Sequence, residues 1–209
     1  ATTQTGEVVI DTTNGVATGA NVTFANTVAG GQTLTIDGGT DGAIAFNGAS
    51  NVVGDLTITN GASLDVIGTL VASDLITTNG TATTINLTGA TTDIASQVDF
   101  ENTGLVTLGD ELTDVLTFTG GFNFVGDAAS NISGTLRSDG AAMDFGSGGV
   151  TLSTTTTVDA TNNGGVPAGG TITFGGTVAG AGEDLTLDAG DAGNIVFTGA
   201  VGDGGRLGV

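Results

Sequence analysis

Short apolar alternations, three to five residues long, recur roughly every ten residues along the whole 209-residue chain. Val22-Thr23-Phe24, Leu34-Thr35-Ile36, Ile44-Ala45-Phe46, Leu56-Thr57-Ile58 and Leu64-Asp65-Val66 open the series. Ile85-Asn86-Leu87, Val106-Thr107-Leu108, Leu116-Thr117-Phe118 and Val150-Thr151-Leu152 continue it. Apolar groups at i and i+2, with a small or polar residue between, are the signature of a half-buried strand. Gly, Asn, Asp and Ser-Gly clusters separate the alternations and supply turn chemistry. No stretch has a convincing helical period. The nearest is Thr91 to Val98, which reads as at most a single turn.

Strands this short and this numerous restrict the fold to an all-β class. A parallel β-helix (β-solenoid), a β-sandwich and an up-and-down barrel all share the texture. The core candidates are Val, Ile, Leu, Ala and nine Phe, with no Trp or Tyr. A thin solenoid interior favours that set, whereas sandwich cores draw on larger aromatics and longer strands. The expectation is a single β-solenoid domain over 1–209, with a β-sandwich as the alternative. At roughly 20 residues per coil, about ten coils would stack at ~4.8 Å each, giving a rod on the order of 50 Å long.

The chain also repeats itself. Residues 22–49 read VTFANTVAGGQTLTIDGGTDGAIAFNGA and residues 172–200 read ITFGGTVAGAGEDLTLDAGDAGNIVFTGA. Phe24 matches Phe174 at a shift of 150, and Phe46 matches Phe197 at a shift of 151. Asp11, Val16 and Gly19 find weaker echoes at Asp159, Val166 and Gly169. The four matched rings are expected to point inward, in equivalent places of two similar coil pairs. The related stretches span 11–61 and 158–209.

The phrases TVAGGQTLTIDGGTDGAIAFNGA and TVAGAGEDLTLDAGDAGNIVFTGAVG resemble the repeats of large bacterial surface exoproteins, the β-strand-repeat proteins with filamentous-haemagglutinin-like or autotransporter-like passengers. The resemblance covers residues 11–61 and 158–209, about half the chain, and is textural between them. It implies a right-handed parallel β-helix exported to the cell surface, with an adhesive, matrix or structural role. The Asn-Pro-Asn-Gly-type secretion motif of that family is not present.

Composition removes most chemistry. The chain lacks Cys, His, Lys, Trp and Tyr, and carries two arginines, Arg137 and Arg206, against 22 carboxylates, for a net charge of -20. No thiolate, imidazole or amine exists for nucleophilic catalysis, a zinc site or a Walker-type phosphate loop. Nucleic acid is not an expected partner, because phosphate neutralisation needs basic clusters. No run of about 18 apolar residues is present, so no membrane-spanning segment is expected. The chain opens Ala1-Thr2-Thr3 without a basic, signal-like start, and reads as a mature or excised segment.

Carboxylate loops are the remaining candidates. Asp37 and Asp41 flank Gly38-Gly39-Thr40, and Asp188 and Asp191 flank Ala189-Gly190. Such spacing suits calcium, which takes six to eight oxygens, and it equally suits turns held by Asx hydrogen bonds. Asp99 with Glu101, and Asp110 with Glu111 and Asp114, form further clusters. No cofactor beyond calcium is expected. Two carboxylates suffice for glycoside hydrolysis, but sugar sites usually carry stacking aromatics, so an enzyme is not expected. Arg137 lies beside Asp139 in sequence and reads as one half of a surface ion pair. Thr57-Ile58-Thr59, Thr117-Phe118-Thr119 and Thr171-Ile172-Thr173 would bind ice only if they aligned in one rank per coil.

The expected function is therefore an extracellular structural or adhesive unit of a surface fibre, sheath or matrix. The alternatives are an adhesin domain with a host or glycan ligand, and an ice-binding solenoid. Aligning the repeat further places Leu56 on Leu207 and Ile58 on Val209. Head-to-tail self-association into filaments is expected from this, with Ala1 to Ile10 completing the neighbour's end by strand addition.

Overall fold

A computed structural model describes residues 1–202 and Leu207. Among them there is no helix, and therefore none long and apolar enough to cross a membrane. All ladders between strands are parallel, and the chain winds through about nine coils of a β-solenoid. Neither the sandwich nor the barrel is formed. The coil length varies from 19 residues (Asp55 to Asp74) to 29 (Met143 to Ile172). Stacked at ~4.8 Å, nine coils make a rod on the order of 40 Å long.

Each coil contributes to three faces. Face I runs through Thr2–Thr3, Val28–Ala29, Ser50–Val52, Thr69–Ala72, Thr91–Ile94, Val115–Phe118 and Leu185–Asp188. Face III runs through Val22–Phe24, Ala43–Phe46, Ser63–Val66, Thr84–Leu87, Val106–Leu108 and Val178–Ala179. The long strands Ser130–Arg137 and Val150–Asp159 turn the corner between them and weld faces III and I into one sheet. Gly134, at φ 67, makes that corner where the register shifts.

Face II is split. Its lower part is Val8–Asp11, Leu34–Asp37, Asp55–Asn60 and Asp74–Thr77. Its upper part is Val98–Phe100, Phe122–Phe124, Met143–Asp144, Ile172–Phe174 and Ile195–Phe197. No ladder joins Asp74–Thr77 to Val98–Phe100. The Thr77 hydroxyl bridges instead, donating to the Asp99 carbonyl at 3.2 Å and accepting the Glu101 N–H at 2.9 Å.

All nine alternations read from the sequence are strands. Thr91–Ile94 is a strand as well and Val98 opens the next, with a bend at Ser96 between them and no helical turn. Thr92 and Ile94 point inward and are fully buried, which is a two-residue period. The interior is built of registered columns. On face III, Phe24, Phe46, Val66, Leu87, Leu108 and Ile132 lie one above another. On upper face II the column is aromatic. Phe145 and Phe174 stack at 4.6 Å and 7°, and Phe174 and Phe197 at 5.1 Å and 8°.

The internal repeat has an unexpected geometry. Val22-to-Phe46 occupies faces III, I, II and III in turn, whereas Ile172-to-Phe197 occupies II, III, I and II. The two copies are thus rotated by one face about the rod axis. Phe24 stacks on Phe46 at 4.6 Å on face III, while their counterparts stack on face II. Phe46 and Phe174 are fully buried and Phe24 partly, but Phe197 is 39% exposed, with no strand above it among the described residues. The rings match in stacking, not in face or in burial.

A corner within each copy is also shared. Gly39 (φ 66) and Gly190 (φ 74) occupy the left-handed region, and a Cβ on either would come within 2.6 Å of the neighbouring loop's carbonyl, of Ala17 or Pro167. Gly39→Ala is expected to destabilise by about 1–3 kcal/mol from backbone strain alone, read as a fall in urea midpoint.

Candidate functional site

Asp37 and Asp188 end equivalent strands. Each Oδ1 accepts a turn amide, from Gly39 at 2.9 Å and from Gly190 at 3.0 Å. Asp41 accepts the Thr40 hydroxyl at 3.0 Å. The second members of the two pairs are not copies of each other. The Thr40 N–H bonds the Ala17 carbonyl and the Asp41 N–H that of Thr18, while the Asp191 and Ala192 N–H groups bond Pro167 and Ala168. Asp191 therefore takes the place of Thr40, and Ala192 that of Asp41. Among the described residues no three acidic side chains come together as a metal-sized group. What Asp37 and Asp188 demonstrably do is hold corners.

The other clusters are dispersed too. Asp114 is buried, and its Oδ2 accepts the N–H groups of Asp110 (2.9 Å) and Glu111 (3.0 Å), so it ties its own loop. Burial, then the charge of Asp114, pushes the Asp110 carboxyl up. Asp99 and Glu101 sit at the split of face II. With Asp74, Ile76 and Gln97 they line a cleft of about 170 Å³. Burial, followed by repulsion from Asp55 and Asp99, pushes Asp74 up. The cleft is acidic and shallow.

Arg137 pairs with Asp159, not with its sequence neighbour Asp139, at Nε–Oδ2 3.1 Å. Asp139 instead accepts from Asn162 at 3.0 Å. Asp159 is a hub. Its Oδ1 accepts both the N–H and the hydroxyl of Thr161 at 2.7 Å, and its Oδ2 accepts the Asn163 N–H at 2.7 Å as well as Arg137. Burial acts to raise this carboxyl, but the donors outweigh it and hold it below the usual carboxylate range. Asp11 makes the same Asp-x-Thr turn with Thr13 at 2.7 and 2.6 Å. The hydroxyl and amide of Thr13 lower the Asp11 carboxyl. The echo of Asp11 at Asp159 was the sequence signal for this hub. Arg206 lies outside the described residues.

The T-x-T units are scattered: Thr57 and Thr173 are on face II and Thr117 on face I. Along face III the outward rank reads Thr23, Ala45, Asp65, Asn86, Thr107, Asn131 and Thr151. It is not a threonine rank.

The two rod ends are the most chemically distinctive surfaces. At the amino-terminal end an open hollow of about 390 Å³ is lined by Gln4, Val8, Ile10, Phe24, Val28 and Leu34. Gln4 is only 7% exposed, yet neither Nε2 nor Oε1 has a hydrogen-bond partner. No sequence pattern marks Gln4, because its burial depends on the coil above it. At the other end Ile195, Phe197 and Val201 are exposed. Residues Ala1 to Ile10 are not a free arm: Thr2–Thr3 and Val8–Asp11 are laddered to Val28–Ala29 and Leu34–Asp37 of the same chain. Their backbone bonds are better satisfied within their own first coil than by reaching for a neighbour. Of the residues that carried the end-of-chain alignment, Val209 lies outside the described residues, while Leu207 packs against the core. No family model, curated protein or solved structure matches this chain.

Proposed function

We propose that this chain is a structural rod segment of an extracellular fibre, sheath or matrix at a cell surface. The observation that carries the reading is the continuous registered interior, which runs through about nine coils in columns of Val, Ile, Leu and Phe. Such an object transmits load along hydrogen-bonded ladders and presents an acidic exterior to solvent. The likeness of the repeat phrases to surface-exoprotein repeats supports the location. The carboxylates of Asp37 and Asp188 are engaged in turns. The test is immunogold labelling of intact cells of the producing organism. Label along surface fibres, sheath or matrix is expected, and label confined to the cytoplasm would overturn the role.

A further inference from the structure

Face II is laddered on both sides of one junction and broken at it. The coil of Ser63–Val66, Thr69–Ala72 and Asp74–Thr77 is followed by the coil of Thr84–Leu87, Thr91–Ile94 and Val98–Phe100. Between these two coils faces III and I keep their ladders, with Leu64 under Ile85 and Leu70 under Thr92, while face II has none. The alternation of a parallel ladder identifies what is missing. The Val98 N–H is spent on the Gly121 carbonyl and the Phe100 carbonyl on the Val125 N–H, both in the coil above. The N–H and carbonyl of Asp99 therefore turn down toward Asp74–Thr77. A regular partner there would donate its N–H to the Asp99 carbonyl and accept the Glu101 N–H on its own carbonyl. The Thr77 hydroxyl makes both of those bonds, at 3.2 and 2.9 Å, in place of a backbone. It does so from an inward column that holds Ile36 and Ile58 below it. The Asp99 N–H is left with no ladder partner among the described residues.

The lips of the junction carry like charge. Asp55 and Asp74 lie side by side in register on the lower lip. Asp99 and Glu101 face Asp74 across the cleft of about 170 Å³. Arg137, the arginine among the described residues, is on face I and paired with Asp159, so it neutralises neither lip. Like charges set side by side on a sheet repel, and closing the ladder would press these carboxylates together. Burial, and after it Asp55 and Asp99, already raises the Asp74 carboxyl. From this we infer that the junction is a two-state hinge in the rod. It is held open by the charges of Asp55, Asp74, Asp99 and Glu101, with the Thr77 hydroxyl as its latch, and it closes into a continuous face II ladder when that charge is removed. Faces I and III run unbroken past it and form the axis about which face II opens. Nearest-neighbour contacts govern a stack of coils, so a junction missing one ladder of three is where the rod yields. Such a hinge serves a rod in any location, so it goes beyond the surface role proposed above and does not depend on it.

Amide hydrogen exchange followed by NMR at neutral pH tests it, in a buffer with EDTA so that no bound cation screens the lips. In the wild-type chain the Asp99 amide is expected to be about a thousandfold less protected than those of Val98 and Phe100. Asp55→Asn together with Asp74→Asn removes the charge of the lower lip and leaves the measured residues unaltered. Protection of the Asp99 amide is then expected to rise by about tenfold or more, as the ladder closes on it. Thr77→Val keeps the shape of the side chain and removes the latch. Protection of the Glu101 amide is expected to fall about tenfold when the charges are present, and to change little in the Asn background, where the backbone has taken over. Thr77→Ser restores it. Far-UV circular dichroism checks the fold, and Glu101→Gln relieves the upper lip instead should the double variant not fold. A wild-type Asp99 amide as protected as its neighbours overturns the hinge. Unchanged Asp99 protection after neutralisation overturns the role of charge, and unchanged Glu101 protection in Thr77→Val overturns the latch.

Discussion

Phe46→Ala is expected to cost about 3–5 kcal/mol of unfolding free energy, and Phe197→Ala about 1–2 kcal/mol, although the two rings are copies of one another in the sequence. Phe46 is fully buried between Phe24, stacked at 4.6 Å, and the Val66 position above it. Its truncation leaves a cavity that the coils on either side cannot close without breaking ladder bonds. Phe197 stacks on Phe174 at 5.1 Å but keeps one side in water, so its removal forfeits less transfer free energy and leaves no enclosed void. Urea unfolding followed by far-UV circular dichroism measures both. Equal losses would contradict the assigned positions of the two copies. In a stack of coils, end coils can also open separately from the middle, so the m-value should be compared between the two variants.

Asp159→Ala should be comparably severe, about 3–5 kcal/mol at neutral pH. It leaves Arg137, whose side chain is 24% exposed, without its partner, and it strands the amides of Thr161 and Asn163 together with the Thr161 hydroxyl. The pH dependence follows from the sign of the shift. The folded carboxyl is held below its ordinary value, so the folded state releases this proton more readily than the unfolded chain does. The stabilisation is therefore complete above the unfolded carboxylate value, near pH 4, and is lost as the pH falls through the lower folded value. The stability gap between wild type and Asp159→Asn should accordingly narrow on acidification through that range. A gap that stays constant down to about pH 2 would show that the charge of Asp159 is not what holds the loop.

The hub shows where local sequence logic reached and where it stopped. Asp11-Thr12-Thr13 and Asp159-Ala160-Thr161 announce an Asx turn by themselves, since an Asp side chain readily bonds the amide two residues ahead. That Arg137 would choose Asp159 over Asp139 could not be read, because the partner is brought in by the next coil, 22 residues further along. Asp41 and Asp191 look like members of two equivalent pairs, but their spacings differ: the shift of 151 that carries Asp37 onto Asp188 carries Thr40 onto Asp191 and Asp41 onto Ala192, and the backbone bonds to Ala17 and Pro167 follow that alignment.

The sequence by itself determined the all-β class, the nine quoted strands and the inward residue of each, because a two-residue period states which side chain is buried without reference to any neighbour. It also determined the corners, since Gly and Asp declare the left-handed and Asx conformations locally. Tertiary structure alone decided which face each strand joins. Coil lengths vary from 19 to 29 residues, so sequence spacing does not count faces. That is why two copies of one phrase lie a face apart, why face II splits at Thr77, and why Gln4 ends up buried without a partner. The physical reason is common to all three. A parallel ladder bonds each strand only to strands a full coil away, so its register is settled by the stack and not by the segment.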